Sequence, residues 1–193
     1  MYLKMHEILK PCKCGSAEVD IMEWTKDNIP IRAVIAGIPV GKYARLCINS
    51  NVVMSETPME HRTNMTFVRD AHGDVLIGGL GIGMILLAIQ NKDSVHSITV
   101  VEKNQDVIDA VYPQLPVNQK VSLICDDVYT WKPDKKYDCI YMDIWNFVNS
   151  DVYEEMKTLK RKYGHFLKPQ SESPHRFNMC WAEYYAKTGR DLR

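Results

Sequence analysis

Neither sign of charge prevails in this sequence, with lysine plus arginine and aspartate plus glutamate at 24 each. Long-range attraction to nucleic acid or to an anionic membrane therefore has no source in net charge, and a nucleic-acid partner is unsupported. No apolar run reaches membrane length: Val75 to Ile89 carries no charge over 15 residues, short of the roughly 20 that a spanning helix needs, and glycines fill its first half. The opening residues MYLKMHEILK lack the continuous apolar core of a signal peptide, so the expectation is a cytoplasmic protein without a membrane partner.

Cysteine is present without a second pair at ligand spacing. Cys12 and Cys14 form a C-x-C with His6 upstream, half of a metal site at most, and no metal is expected. Cys125 and Cys139 lie in apolar strand contexts, where a reduced thiol packs as a small hydrophobe. Internal repeats and low-complexity linkers are also missing. A chain of 193 residues forms one domain with a small appendage and buries roughly 70% of its unfolded surface, with no need of a disulfide or metal staple.

What is there is organised around Asp74 to Lys103, DVLIGGLGIGMILLAIQNKDSVHSITVVEK. It reads as a strand at Val75 to Ile77, a turn with Gly78, Gly79, Gly81 and Gly83, an apolar helix to about Gln90, and a second strand, Ile98 to Val101, that ends in Glu102. At such a turn the backbone N–H groups of the helix start point outward, and glycine lets a ligand approach. An acid at the tip of the next strand stands beside the turn, where its carboxylate can accept from ribose hydroxyls. This is half of a nucleotide site.

The rest of the chain falls into place around it. Residues 1–15 predict a small helix or turn. From Val19 to Ser55 the segments VDIMEW, IRAVIAGIPV, YARLCIN and VVMS, punctuated by Asn, Gly and Pro, predict three or four short β-strands. Thr57, Pro58 and Glu60 predict a helix start, with Glu60 returning to the cap, and the helix runs to about Asp70. Asn104 caps a helix to about Tyr112; a third strand, Val121 to Ile124, closes on Asp126 and Asp127, and a fourth, Tyr137 to Met142, closes on Asp143. A helix from about Asp151 to Tyr163 follows, then a short fifth strand in His165 to Pro169. Arg176 to Lys187 has Met179, Trp181, Tyr184 and Tyr185 spaced for one helix face. His61 and His72 are expected at solvated helix ends.

Alternating strands and helices predict an α/β chain: a Rossmann-like, doubly wound parallel sheet over residues 57–193, with an N-terminal β-hairpin appendage over residues 1–56. Ligands of such sheets bind at the carboxyl ends of the strands. The candidate cofactor set is Gly78, Gly79, Leu80, Gly81, Gly83, Glu102, Lys103, Asp126, Asp127 and Asp143. Asp143 is also the candidate general base, and Glu60, Tyr141 and Trp145 are candidates for substrate contact; core packing is the competing role for Trp145.

The arrangement DVLIGGLGIG, ITVVEK, LICDD and YDCIYMDIW resembles the class I S-adenosylmethionine-dependent methyltransferases, and in particular their spermidine-synthase-like branch, over about Val52 to Pro169. That resemblance implies S-adenosylmethionine as cofactor, with the glycine turn on its methionine part, Glu102 on the ribose, Asp126 towards the adenine and a small-molecule acceptor beside Asp143. Glu60 would take the place of that branch's acidic residue. Two departures stand out. Asp143-Ile144-Trp145-Asn146 has neither the second acid of the D-x-x-D run of polyamine synthases nor the prolines of the N/D-P-P-Y/F run of amino methyltransferases. Gln170 to Arg193 offers none of the last strands of the fold, so either the helix with Trp181 covers the sheet edge or a second subunit does, as in a homodimer. Aminopropyl transfer from the decarboxylated cofactor, cofactor binding without chemistry, and nicotinamide-dependent hydride transfer are the competing readings. For the last, the third glycine stands one place early and Asp126-Asp127 has no use.

Overall fold

Two strands of this chain are apolar along almost their whole length, and that decides the architecture. Val75, Leu76 and Ile77 in β5 (Gly73–Gly78) and Ile140 to Met142 in β8 (Cys139–Met142) are at most 2% exposed. A strand buried on both faces belongs inside a sheet covered on both sides. The computed structural model, which describes residues 2–190, has that sheet: β5 and β8 are neighbours in a parallel five-stranded sheet of order β7-β6-β5-β8-β9. Here β6 is Val95–Glu102, β7 is Val121–Cys125 and β9 is Phe177–Cys180.

Side chains alternate across this sheet and build two cores. Val75, Ile77, Ile98, Val100, Cys139 and Tyr141 face one way, towards α3 (Pro58–Asp70), α4 (Met84–Ile89) and α5 (Gln105–Val111). Leu76, Val101, Ile140 and Met142 face the other, under α6 (Ser150–Gly164). In α6 the residues Val152, Met156, Leu159 and Tyr163 recur at helical spacing and are buried, while the remaining face carries lysines, an arginine and acids. The helix starts where Asn149 Oδ1 accepts the Val152 N–H at 2.8 Å.

The N-terminal part folds into a second, antiparallel sheet of β1 (Cys12–Cys14), β2 (Ala17–Trp24), β3 (Gly41–Ile48) and β4 (Asn51–Ser55), in that order. It is fastened to the larger sheet by Asp106 at the start of α5, which accepts the Ser16 N–H and hydroxyl at 2.7 Å each. The helical turn α1 (Met5–Ile8) is held by Glu56, a buried carboxylate that accepts the N–H groups of Met5 at 2.7 Å, His6 at 2.9 Å and Ala44 at 3.2 Å, and pairs with His6 Nδ1 at 2.8 Å.

Several expectations need correction. Ile31–Ile35, expected within a strand, is a short helix, α2, at the tip of the β2–β3 connection; Ile31 and Ile35 are exposed, so no facing strand holds the β-branched run extended. His165 to Pro169 contributes only a single bridge, Tyr137 to Leu167. The fifth strand is β9 instead, in the segment expected to be helical, and helix begins only at α7 (Glu183–Thr188), which packs on α6 through the Lys160–Glu183 pair at 2.6 Å. Among the described residues no strand lies beyond β9. Cys139 is buried as expected, but Cys125 is exposed because β7 is an edge strand. His61 is half-buried and stacks on Tyr2 with ring centres 4.5 Å apart. No helix of the described residues is long and apolar enough to cross a membrane.

Candidate functional site

Strand order places the site. Counted from β5, the five strands lie three-two-one-four-five, so the chain leaves β5 in one direction for β6 and β7 and lies on the other side for β8 and β9. The carboxyl ends of β5 and β8 therefore flank a crevice that no crossover fills. A cleft of about 330 Å³ opens there, within the size range of small-molecule sites.

The glycine turn after β5 forms one wall, and its glycines are required by close packing. Gly79 has φ +96°, and a Cβ there would overlap the carbonyl oxygen of Asp143, a backbone atom that cannot swing aside. Gly81 has φ +52°, and a Cβ would overlap Met54 Sδ. Met54 comes from β4, lies against the turn and accepts the Ile82 N–H at 3.4 Å. The turn's amides are mostly committed inside the protein: Gly79 N–H to Val101 O at 2.8 Å, Gly83 N–H to Leu80 O at 2.9 Å, and Leu80 N–H to Glu102 Oε2 at 2.9 Å. Glu102 Oε1 accepts the Asn104 N–H at 2.9 Å. Each Glu102 oxygen thus receives one backbone donor and keeps acceptor capacity for another.

The opposite wall is acidic in an unusual place. The buried stripe of α3 reads Glu60, Asn64 and Phe67, where an amphipathic helix carries apolar residues. Phe67 stacks on the Tyr141 ring with centroids 4.2 Å apart. The Tyr141 hydroxyl donates to Asn64 Oδ1 at 2.7 Å, and Asn64 Nδ2 donates to the Glu60 carbonyl at 2.9 Å. This chain of bonds fixes α3 on β8 and sets Glu60 into the cleft that Asp143 enters from the end of β8.

Both carboxyls hold their protons unusually well. Burial pushes Asp143 up to about 7. Glu60 is 8% exposed and is pushed up to about 8, by burial first and then by the charge of Asp143, against a smaller opposing effect of the Trp181 indole N–H. Among the described residues no ion pair includes either acid. A negative charge on Asp143 raises the cost of ionising the buried Glu60 beside it.

The cleft collects most of the residues that the sequence singles out. Gly79, Gly81, Glu102, Lys103, Asp126, Asp127, Asp143, Glu60 and Trp145 line it. Gly78 stays inside β5 against Met142, Leu80 contributes its N–H with its side chain buried, and Gly83 starts α4 against Leu115. Tyr141, expected at the substrate wall, does not line the cleft, because its ring is taken up by Phe67 and its hydroxyl by Asn64. Glu60 does not cap α3: no side-chain bond closes the helix start, and the Thr57 hydroxyl accepts from Ser55 Oγ at 3.3 Å instead. The lining also includes residues that the sequence did not mark for the site: Leu46, Ile48, Val53 and Met54 from the N-terminal sheet, Tyr129, and Trp181, whose indole N–H donates to Thr63 Oγ1 at 3.0 Å. Alternation in β3 puts Leu46 and Ile48 on one face, but Val53 and Met54 are consecutive in β4, where a register shift leaves Val53 without a partner in β3, and alternation could not have marked both.

Five acids and one lysine line this cleft. It is built for a ligand that brings positive charge and several hydroxyl or amine donors, and it suits a pyrophosphate poorly. Among the described residues no group of three or more His, Cys, Asp or Glu could hold a metal ion.

No protein-family model matches the chain, and no curated protein matches it in sequence. Solved structures resemble it in part. A complex of DhpI with SAM and HEP is 15% identical over 56% of this chain and 49% of that one, with a TM-score of 0.44. The N-methyltransferase NodS from Bradyrhizobium japonicum WM9 is 16% identical over 59% and 65%, with a TM-score of 0.47. The glycopeptide N-methyltransferase MtfA complexed with S-adenosylmethionine is 15% identical over 61% and 47%, with a TM-score of 0.44. The chain spans about half the length of the first and third of these.

Proposed function

We propose that this chain is an S-adenosylmethionine-dependent methyltransferase whose acceptor is an amine. The observation that carries the reading is the pair Glu60, buried, and Asp143, part-buried, which line one cleft at the carboxyl end of the sheet and, among the described residues, join no ion pair. A buried acid beside a second acid without an ion-pair partner is costly to ionise, and a cationic ligand relieves the cost.

The residues present fit the cofactor. Glu102, fixed by two backbone donors and with acceptor capacity to spare, would hold the ribose hydroxyls; Asp126 would receive the adenine amino group; the glycine turn would hold the amino-acid part. When bound, S-adenosylmethionine supplies an electrophilic methyl group on a positively charged sulfur. The dinucleotide alternative fits less well, since the turn's amides are largely spoken for and the lining is acidic.

On the acceptor side, an ammonium group entering between Glu60 and Asp143 meets both acids. Asp143, titrating near 7, is poised to take the amine's proton at neutral pH and leave the nitrogen lone pair free. Glu60 holds the remaining N–H groups. Trp145 and Trp181 bound the space and keep water out, and the bonds from Tyr141 to Asn64 to Glu60 keep α3 at a fixed distance from β8. Residues 1–56 act as an appendage whose Leu46, Ile48, Val53 and Met54 shape the acceptor wall of the domain in residues 57–193.

The test is transfer of labelled methyl from S-adenosylmethionine to a panel of small amines and matched alcohols, with Asp143→Asn alongside. Methylated amines, unmethylated alcohols and a rate at least about 100-fold lower in the variant are expected; transfer to alcohols alone contradicts the amine assignment. Aminopropyl transfer is the second reading, favoured by Glu60 supplying from α3 the second acid that Asn146 does not. It predicts reaction of a diamine with the decarboxylated cofactor and none with S-adenosylmethionine.

A further inference from the structure

Two aromatic side chains that line the cleft, from segments following different strands, are tied together by a carboxylate that is not part of its lining. Tyr129 follows β7 and Trp145 follows β8, and both line the cleft. Glu155, on the exposed side of α6, accepts the Tyr129 hydroxyl at 2.8 Å and the Trp145 indole N–H at 2.9 Å on the same oxygen, Oε2. The donors leave their mark on the acid: Trp145 first, then Tyr129, hold the Glu155 carboxyl below its ordinary range. The Tyr129 hydroxyl is in turn pushed up, by burial first and then by Glu155.

The same helix grips the loop backbone. Lys162 Nζ donates to the carbonyls of Val128 at 2.8 Å, Tyr129 at 3.0 Å and Trp131 at 2.6 Å. No residue of α6 lines the cleft, yet the helix fastens two segments that border it, the Trp145 segment by one bond to Glu155 and the Tyr129 segment by another bond to Glu155 and through its main-chain carbonyls. The segments after β7 and β8 are thereby joined through α6. Nothing in the proton chemistry of Glu60 and Asp143 uses Glu155.

We propose that Glu155 is a positioning residue for the bound adenosyl group: it clasps Tyr129 and Trp145 into one frame at the outer part of the cleft and sets how fast the nucleoside leaves. The inference rests on the cofactor reading above. Release requires the frame to open, so loss of the clasp acts on the dissociation rate more than on association.

The experiment uses the full chain labelled with 5-fluorotryptophan, in which the 19F resonance of Trp145, one of four tryptophans, is assigned with Trp145→Phe. In the ligand-free protein, Glu155→Ala and Tyr129→Phe should each shift that resonance, and Glu155→Gln, which keeps an oxygen able to accept both bonds, should largely restore it. Stopped-flow release of S-adenosylhomocysteine should be faster by about five- to tenfold in Glu155→Ala, as expected for two lost bonds to a charged acceptor near solvent, and within about twofold of wild type in Glu155→Gln. An unmoved resonance in Glu155→Ala overturns the clasp. A moved resonance with unchanged release overturns its role toward the nucleoside, and release as fast in Glu155→Gln as in Glu155→Ala overturns the two hydrogen bonds as its cause. Absence of S-adenosylhomocysteine binding to the wild type defeats the cofactor reading and this positioning role with it, while the ligand-free resonance still reports whether the clasp exists.

Discussion

Replacing Glu60 by glutamine removes the buried carboxyl of the pair while keeping the shape of the side chain, and its consequence for stability has a definite sign. With its carboxyl raised from 4.5 to about 8 in the fold, the native chain keeps a proton across that interval that the unfolded chain has released. Stability from this group is thus fully present at low pH and is lost as pH rises through the window. Taken at face value the shift corresponds to about 5 kcal/mol, and relaxation and water entry around a buried charge reduce it to roughly 2–3 kcal/mol. Urea unfolding followed by circular dichroism at intervals from pH 4.5 to 9 measures it. Wild type should lose stability relative to Glu60→Gln by about 2–3 kcal/mol between the two ends, and any fixed cost of the amide cancels in that difference. Parallel curves for the two proteins would refute the argument that Glu60 is a buried, uncompensated acid.

Asp143→Asn should lower methyl transfer by about 10²–10⁴-fold with little change in cofactor affinity, and the wild-type rate should rise with pH through about 7 as the base loses its proton, a rise the variant lacks. Gly79→Ala should destabilise the fold by about 3 kcal/mol or prevent its formation, because the new Cβ meets the Asp143 carbonyl at a positive φ; thermal unfolding within 2 °C of wild type contradicts this. Tyr141→Phe leaves Asn64 Oδ1 without its donor in the core and should cost about 1–3 kcal/mol in calorimetry. A Tm unchanged in that variant would show that the hydroxyl does not hold α3 on β8.

Most of the larger sheet was legible because its strands are unbroken apolar runs that end in an acid or a glycine. The strand β9 was not. Phe177, Asn178, Met179 and Cys180 alternate over only four residues, and Trp181, Tyr184 and Tyr185 beyond them continue a helical spacing, so the local pattern favours the wrong period; pairing with β8 decides it. The reverse error arose at Ile31 to Ile35, whose β-branched run has no partner strand and winds into a turn of helix in solvent. The glycine turn with Glu102, Asp126 and Asp143 was readable since strand ends converge by topology. Glu60 carried two expectations, a helix cap and a substrate contact: the cap is absent, and the packing of α3 on Tyr141 sets the residue in the cleft with Asp143. Met54 and Trp181 reach the site across long sequence separations, and Glu155 reads locally as one more acid on the polar face of a helix.

The central claim is that the cleft holds a sulfonium nucleoside through Glu102. It is tested most directly by calorimetric titration of the full chain with S-adenosylmethionine, its decarboxylated form and NAD in parallel, repeated on Glu102→Ala. Saturable binding of S-adenosylmethionine, weakened at least about tenfold in the variant, as loss of a charged acceptor for two hydroxyls predicts, with no heat from NAD, is the expected result. Tighter binding of NAD, or S-adenosylmethionine binding that is indifferent to Glu102, would contradict the account.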